Sequence, residues 1–221
     1  MNPWPLFAAT IYQTLRIASG SRVEVVDEGG LAALRGVDPI VVVANHQSHA
    51  DTPLIAAAMP RERRPLLRYV ASARRFSRAA AGAPARERVE RWFLHGMAVH
   101  AYGALLVGEE HVGPLAIGAM ARLLDEGKTV VVFPEGTRSR TGALGPLRPG
   151  AAIVALEAKV RVVPIRIDGA ERALPRSAWH VRRGSRIRVR LRAPIVPAAA
   201  DDHESLTRRI EQAIAPAESA A

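Results

Sequence analysis

Two histidines and a carboxylate stand close together in "VVVANHQSHAD", residues 41–51, directly after an apolar run. His46 follows that run with no packing reason to be an imidazole, and Asp51 comes five residues later. On a continuous helix this spacing would set the two side chains about 140° apart. Across a turn that enters a helix, the chain can fold back so that Asp51 reaches the ring. A carboxylate on Nδ1 fixes the tautomer and leaves Nε2 as a base, the His–Asp half of a hydrolytic triad. A purely structural alternative stands beside it: Pro53 suits the first turn of a helix, and Asp51 or Thr52 suits its N-cap. His46, His49 and Asp51 also offer metal-ligating atoms. No H-E-x-x-H pattern or distant ligand cluster joins them, so no metal is expected.

A His–Asp pair needs a nucleophile. The chain has no cysteine and no G-x-S-x-G turn, which also removes disulfides and thiolate metal sites from consideration. The nucleophile is therefore expected to arrive with the substrate, as an alcohol deprotonated by the histidine. A second cluster lies in "VVVFPEGTRSR", residues 130–140. Pro134 must break the strand before it, and residues 135–138 then form a compact polar turn. Gly136 permits close backbone approach or positive φ, and Arg138 offers a planar fork suited to phosphate. The alternative is a turn carrying a solvated Glu–Arg pair. Gly127-Lys128-Thr129 mimics the end of a phosphate-binding P-loop. Arg122 stands where that motif needs glycine, and the order is helix then strand, so a helix C-cap glycine is expected.

The elements that must position these residues follow from hydrophobic periodicity. Strands are expected at 22–26, 39–44, 103–107, 129–133, 161–167 and 186–191, and helices at 5–18, 53–59, 86–98, 114–126, 150–158 and 203–215. This alternation predicts an α/β fold: a single domain with a mixed, largely parallel sheet covered by helices. A chain of 221 residues is long enough for one such domain. Ligands of such sheets bind beyond the carboxyl ends of the strands. Strands 39–44 and 129–133 run into the two polar motifs, which places both at the same end. Residues 1–37 are expected to form an N-terminal amphipathic segment plus the first strand, and residues 38–221 the motif-bearing domain.

The net charge of +10 comes from 31 basic and 21 acidic side chains, and Lys128 and Lys159 are the only lysines. An arginine surplus attracts polyanions: nucleic acid, anionic lipid or a phosphorylated cosubstrate. Aromatic residues make up only 5% and no nucleic-acid motif is present, so nucleic acid is not the expected partner. No stretch approaches the ~20 apolar residues of a membrane span. "NPWPLFAATIYQTLRIA" (2–18) reads either as an amphipathic segment lying on a membrane or as a helix docked on the core. The arginine-rich segments 61–78 and 180–192 are expected to dock anionic lipid or an acidic donor, or else to be solvated faces.

"NHQSHAD" and "FPEGTRSR", with "VVPIRIDGA" at 162–170, resemble the signatures of the lysophosphatidate (1-acylglycerol-3-phosphate) acyltransferase family, in the same order and over residues 38–170. The resemblance implies a membrane-associated acyltransferase of phospholipid biosynthesis, peripheral at the cytoplasmic face. His46 would be the general base that deprotonates the acceptor hydroxyl, and Asp51 would orient and charge-stabilise it. Glu135, Gly136 and Arg138 would hold the acceptor's glycerol phosphate, Thr137 would line the same turn, and Asn45 would be a further substrate-binding residue. The acceptor would be a lysophospholipid and the co-substrate acyl-CoA or acyl-carrier protein, with no cofactor. One departure stands out: the family's further arginine, expected after the strand at 103–107, is replaced by Gly108, Glu109 and Glu110. Those carboxylates would disfavour a bare phosphomonoester.

Overall fold

A computed structural model describes residue 13 and residues 20–77, 79–80, 82–108, 113–139, 141–175 and 182–216. The expected helix at 5–18 and the Glu109–Glu110 pair therefore lie outside the described residues, Gln13 apart. Seven strands form one sheet: β1 (Arg22–Glu28), β2 (Ile40–Ala44), β3 (Leu67–Ser72), β4 (Leu105–Val107), β5 (Thr129–Val132), β6 (Val162–Asp168) and β7 (Arg186–Arg192). Their order is β1-β7-β6-β2-β5-β3-β4. Every neighbouring pair is parallel except β6 with β7. The carboxyl ends of β2, β5 and β6 therefore share one edge of the molecule, level with the first residues of β7 and β1.

The central strands explain themselves. β2, "IVVVA", is buried at every position, the continuous apolar run of a strand covered on both faces. On one face, Ile40, Val42 and Ala44 join Ile165, Val189 and Leu191. Leu54 and Ile55 of helix α2 (Asp51–Ala58) cover them; the short α1 (Leu31–Leu34) adds Leu34. On the other face, Val41 and Val43 meet three helices that come later in the chain. These helices are α5 (Pro114–Asp125), α6 (Gly150–Glu157) and α8 (His203–Ile214). Before α5 come α3 (Ala73–Phe76), α4 (Ala85–His95) and a π-turn (Gly96–Ala101), and α7 (Ala170–Ala173) lies between α6 and α8 in the chain. β7 alternates differently: Ile187, Val189 and Leu191 are buried, while Arg186 and Arg188 are exposed.

β1 is an edge strand of this same sheet, so Arg22–Glu28 are structurally part of it. β3 was not expected, because five arginines in 61–74 hide its alternation, in which Leu67 and Tyr69 point inward. The same stretch brings a correction. Arg63, expected on a docking face, is wholly buried at the amino end of the sheet. Its guanidinium donates to the carbonyls of Leu34 (2.6 Å), Asp38 (3.0 Å) and Gly36 (2.9 Å) and to Thr129 Oγ1 (2.7 Å). Burial pushes its pKa below the usual arginine value. Gly127 ends α5 at φ +72°, the helix C-cap expected there and not a P-loop.

Candidate active site

The end of β2 is pinned before the chain turns. Asn45, buried, donates from Nδ2 to the Ile167 carbonyl (2.8 Å) and accepts from the Ile167 amide at Oδ1 (2.7 Å). Both ends of its amide are thus spent locking β2 to β6. Asn45 thus acts as a peg between strands.

His46 is then held through its backbone. Its N–H donates to Glu135 Oε1 (2.7 Å) and its carbonyl accepts from the Ser139 amide (2.8 Å). The second oxygen of Glu135 accepts from the Gly145 amide (3.0 Å). Glu135 therefore braces the two motif loops against each other. Each of its oxygens accepts from a backbone amide of this chain.

The turn from His46 to α2 closes on one atom. Asp51 Oδ2 accepts from His46 Nδ1 (2.8 Å) and from the backbone amides of Gln47 (2.7 Å) and Ser48 (2.7 Å). Ala50, not Asp51, occupies the N-cap of α2, and no side chain caps the helix. The carboxylate points back into the turn and onto the His46 ring, not onto the first amides of α2. Asp51 is fully buried, and its Oδ1 has no hydrogen-bond partner among the described residues. Ser48 Oγ donates to the Leu174 carbonyl (2.8 Å) and Gln47 Nε2 to that of Gly142 (2.7 Å), so the turn is tied at both flanks.

The ring itself stacks on Phe133, with centroids 4.1 Å apart and planes at 20°. An acceptor at Nδ1 places the proton there and leaves the lone pair on Nε2. A cation formed on this ring would sit against a buried carboxylate, where charge interaction is weakly screened. The arrangement is that of an oriented general base.

In the other motif, Gly136 has φ +68°, which L side chains rarely adopt. A Cβ there would come within 2.9 Å of the Arg148 guanidinium carbon, so the arginine is packed on the glycine. Thr137 is exposed and Arg138 half-buried on the same bend. His49 is exposed, and no group of three metal-ligating side chains occurs among the described residues. Sequence reasoning missed Phe133, Gly145 and Arg148. Phe133 could have been noticed as the residue joining the second strand to its motif; nothing local marks the other two.

Among the described residues, no helix is long and apolar enough to cross a membrane. A family model described as Acyltransferase matches residues 23–168. The mouse (Mus musculus) 1-acyl-sn-glycerol-3-phosphate acyltransferase alpha is 30% identical over 203 residues, covering 85% of this chain and 64% of that protein. A chloroplastic 1-acyl-sn-glycerol-3-phosphate acyltransferase of Brassica napus is 38% identical over 79 residues, 36% of this chain and 23% of its own length. The chain thus spans under a quarter of the chloroplast relative and under two thirds of the mouse one. The crystal structure of PlsC from Thermotoga maritima, described as a 1-acyl-sn-glycerophosphate (LPA) acyltransferase, superposes with a TM-score of 0.66 at 22% identity, covering 95% of this chain and 76% of that one. At that identity the likeness is one of fold.

Proposed function

Because this chain belongs to the acyltransferase family, we propose that it transfers a fatty acyl group from a thioester to the free hydroxyl of a lysophospholipid, 1-acylglycerol-3-phosphate first. The observation that carries this reading is the His46–Asp51 pair, 2.8 Å apart, with the carboxylate buried. In the reaction, Nε2 of His46 accepts the proton of the acceptor hydroxyl as its oxygen attacks the thioester carbonyl carbon. The tetrahedral intermediate collapses, the carbon–sulfur bond breaks, and the imidazolium returns its proton to the leaving thiolate. Asp51 stabilises the cation between those two steps. Gly136, Thr137 and Arg138 form the acceptor side of the site, with the Arg138 fork on phosphate.

The donor is acyl-CoA or acyl-carrier protein, and the product feeds phospholipid synthesis. The enzyme works peripherally, at the cytoplasmic face of a membrane. Support for that placement comes from α4, where Val89, Trp92 and Phe93 lie exposed at helix spacing on one face.

An acyl-transfer assay with palmitoyl-CoA and a panel of lysolipids tests the reading. His46→Ala is expected to lower turnover on the order of 10²–10⁴-fold while the far-UV spectrum is unchanged. His49→Ala should be mild. Near-normal turnover by pure His46→Ala protein would refute the mechanism. A preference for lysolipids with less anionic heads over lysophosphatidate would give Glu109 and Glu110 the role their charge implies.

A further inference from the structure

The outer face of β7 and β1 carries a ladder of arginines, most of them neutralised. The parallel register sets Arg188 opposite Glu24 and Arg192 opposite Glu28. Glu24 pairs with Arg188 at 3.0 Å, and Glu28 with Arg190 at 2.8 Å and with Arg192. Asp168 bridges Arg166 (2.8 Å) and Arg190 (3.3 Å). At one end the ladder fails. Arg22 stands opposite Arg186, both exposed, and no carboxylate among the described residues pairs with either. Like charges directly opposed across a strand pair are destabilising, so folding alone gives no reason for this pairing.

That end is also concave. Arg22, Arg172, Arg186 and Arg188, with the already paired Glu24 and Asp168, line a cleft of about 530 Å³. A shallower depression of about 420 Å³ runs on from Arg172 and Arg186 to Arg182 and Arg183. Glu171 meets Arg172 only loosely, at 3.6 Å. The surplus cations therefore surround a hollow and do not simply dot a convex surface.

Its position relates it to His46. β7 runs antiparallel to β6, with Arg188 in register with Asp168 at the carboxyl end of β6. Just beyond, Gly169 (φ +83°) presses on Arg186, where a Cβ would lie 2.3 Å from the Arg186 carbonyl oxygen. This is the end of the sheet at which β2 delivers His46. In the order β1-β7-β6-β2, Arg22 is three strands away, roughly 14 Å at ~4.8 Å per strand.

We propose that this arginine cleft binds the 3′-phosphorylated adenosine diphosphate end of coenzyme A, the acyl donor; the inference rests on the acyl-transfer reading above. Three phosphate groups match the unpaired guanidiniums, which grip phosphate bidentately. The volume is that of a small-molecule site. The pantetheine arm has about a dozen backbone bonds, an extended reach of roughly 14 Å, which carries the thioester from the cleft to His46. An acidic carrier protein would instead present a convex helix, for which a hollow is a poor seat.

The test is equilibrium binding of free coenzyme A and of 3′-dephospho-coenzyme A to the full chain, with steady-state kinetics in parallel. The Arg22→Ala plus Arg186→Ala variant removes exposed side chains, and Arg208→Ala on α8 controls for the loss of an exposed arginine elsewhere. The expected result is at least a tenfold rise in the coenzyme A Kd and in the palmitoyl-CoA KM. The kcat and the acceptor KM should be unchanged, and the preference for coenzyme A over its dephospho form should be lost. An unchanged Kd in the double variant, or an equal effect from Arg208→Ala, would overturn the proposal. So would a KM effect confined to acyl-carrier protein, which would make the cleft a protein dock. If coenzyme A binding depends on Arg22 and Arg186 while no lysolipid is acylated, the cleft stands and the proposed reaction fails. If acylation proceeds with an unaffected palmitoyl-CoA KM, the reverse holds.

Discussion

Replacing Asp51 by asparagine separates the charge on His46 from the hydrogen bond that orients it. Oδ2 collects three donors, from His46 Nδ1 and the amides of Gln47 and Ser48. An asparagine must therefore turn its oxygen to the same place. Its NH₂ then takes the position of Oδ1, which is buried without a partner among the described residues. Leaving that donor unsatisfied costs about 1–3 kcal/mol of stability, and the turn should survive it. The catalytic loss is larger. An imidazolium and a carboxylate about 4 Å apart between charge centres attract by roughly 4 kcal/mol at an effective dielectric near 20. Removing that attraction only when the cation forms lowers kcat by roughly 10³-fold. Neither substrate's KM should move much, because the neutral imidazole keeps its place against Phe133. The assay is steady-state acyl transfer with thermal denaturation on the same sample. A folded Asp51→Asn protein with kcat within about tenfold of the wild type would refute a charge-stabilised base, since even the low end of general-base catalysis exceeds that.

Three further outcomes are expected. Arg63→Met strands four acceptors, two of them buried, and should cost about 3–5 kcal/mol, lowering the melting temperature by roughly 6–20 °C; an unchanged value would show that the pocket re-satisfies itself. Trp92→Ala plus Phe93→Ala should weaken binding to anionic vesicles by roughly tenfold or more, and equal vesicle binding would remove α4 from the membrane contact. Asp202 caps α8 by accepting from the Ser205 amide, which with the Ser205 hydroxyl holds its carboxyl below the usual value of 3.8. Its contribution is present above that pH and is lost as pH falls through the depressed folded value. Asp202→Ala should therefore flatten the acid limb of a stability–pH curve below about pH 4, and an identical limb would contradict this.

Much of the architecture could be read from hydrophobic runs alone. β2, β5 and β6 are apolar at nearly every position, and a strand buried on both faces leaves little else to be. α8 announced itself by a capping aspartate and a strong apolar stripe through Leu206, Ile210 and Ile214. β3 was hidden because Arg68 and its neighbours made the stretch look like a solvated charge run. The mistake has a physical cause: arginine carries a long apolar stem and a charged tip, so it can occupy strand positions, or even be buried, without an apolar signature. Arg63 shows the extreme, since its burial depends on carbonyls of Leu34, Gly36 and Asp38 that lie far back in the sequence.

The site was legible as residue types and illegible as partnerships, and the two motifs show why. His46 and Asp51 are joined by a local turn, so spacing and chemistry together were enough to pair them. Asn45 and Glu135 have the same appearance in sequence, polar residues at strand ends beside a catalytic candidate. Their partners, however, lie 122 and 89 residues away, on Ile167 and on the His46 amide. A polar side chain at the rim of an α/β sheet can face either a ligand or the backbone of a neighbouring strand. Only the strand order β6-β2-β5 decides which. Because β2 lies between the other two, each of its neighbours supplies one brace: β6 through Ile167, β5 through Glu135. His46 is held from both sides, by the Asn45 lock on β6 and by Glu135 after β5. The placement of this histidine is thus a property of the sheet order, and under the proposed mechanism substitutions at Asn45 or Glu135 should act on kcat through the position of His46 and not through acceptor affinity. A rise in acceptor KM with unchanged kcat in Glu135→Gln would contradict that, returning the carboxylate to the acceptor site.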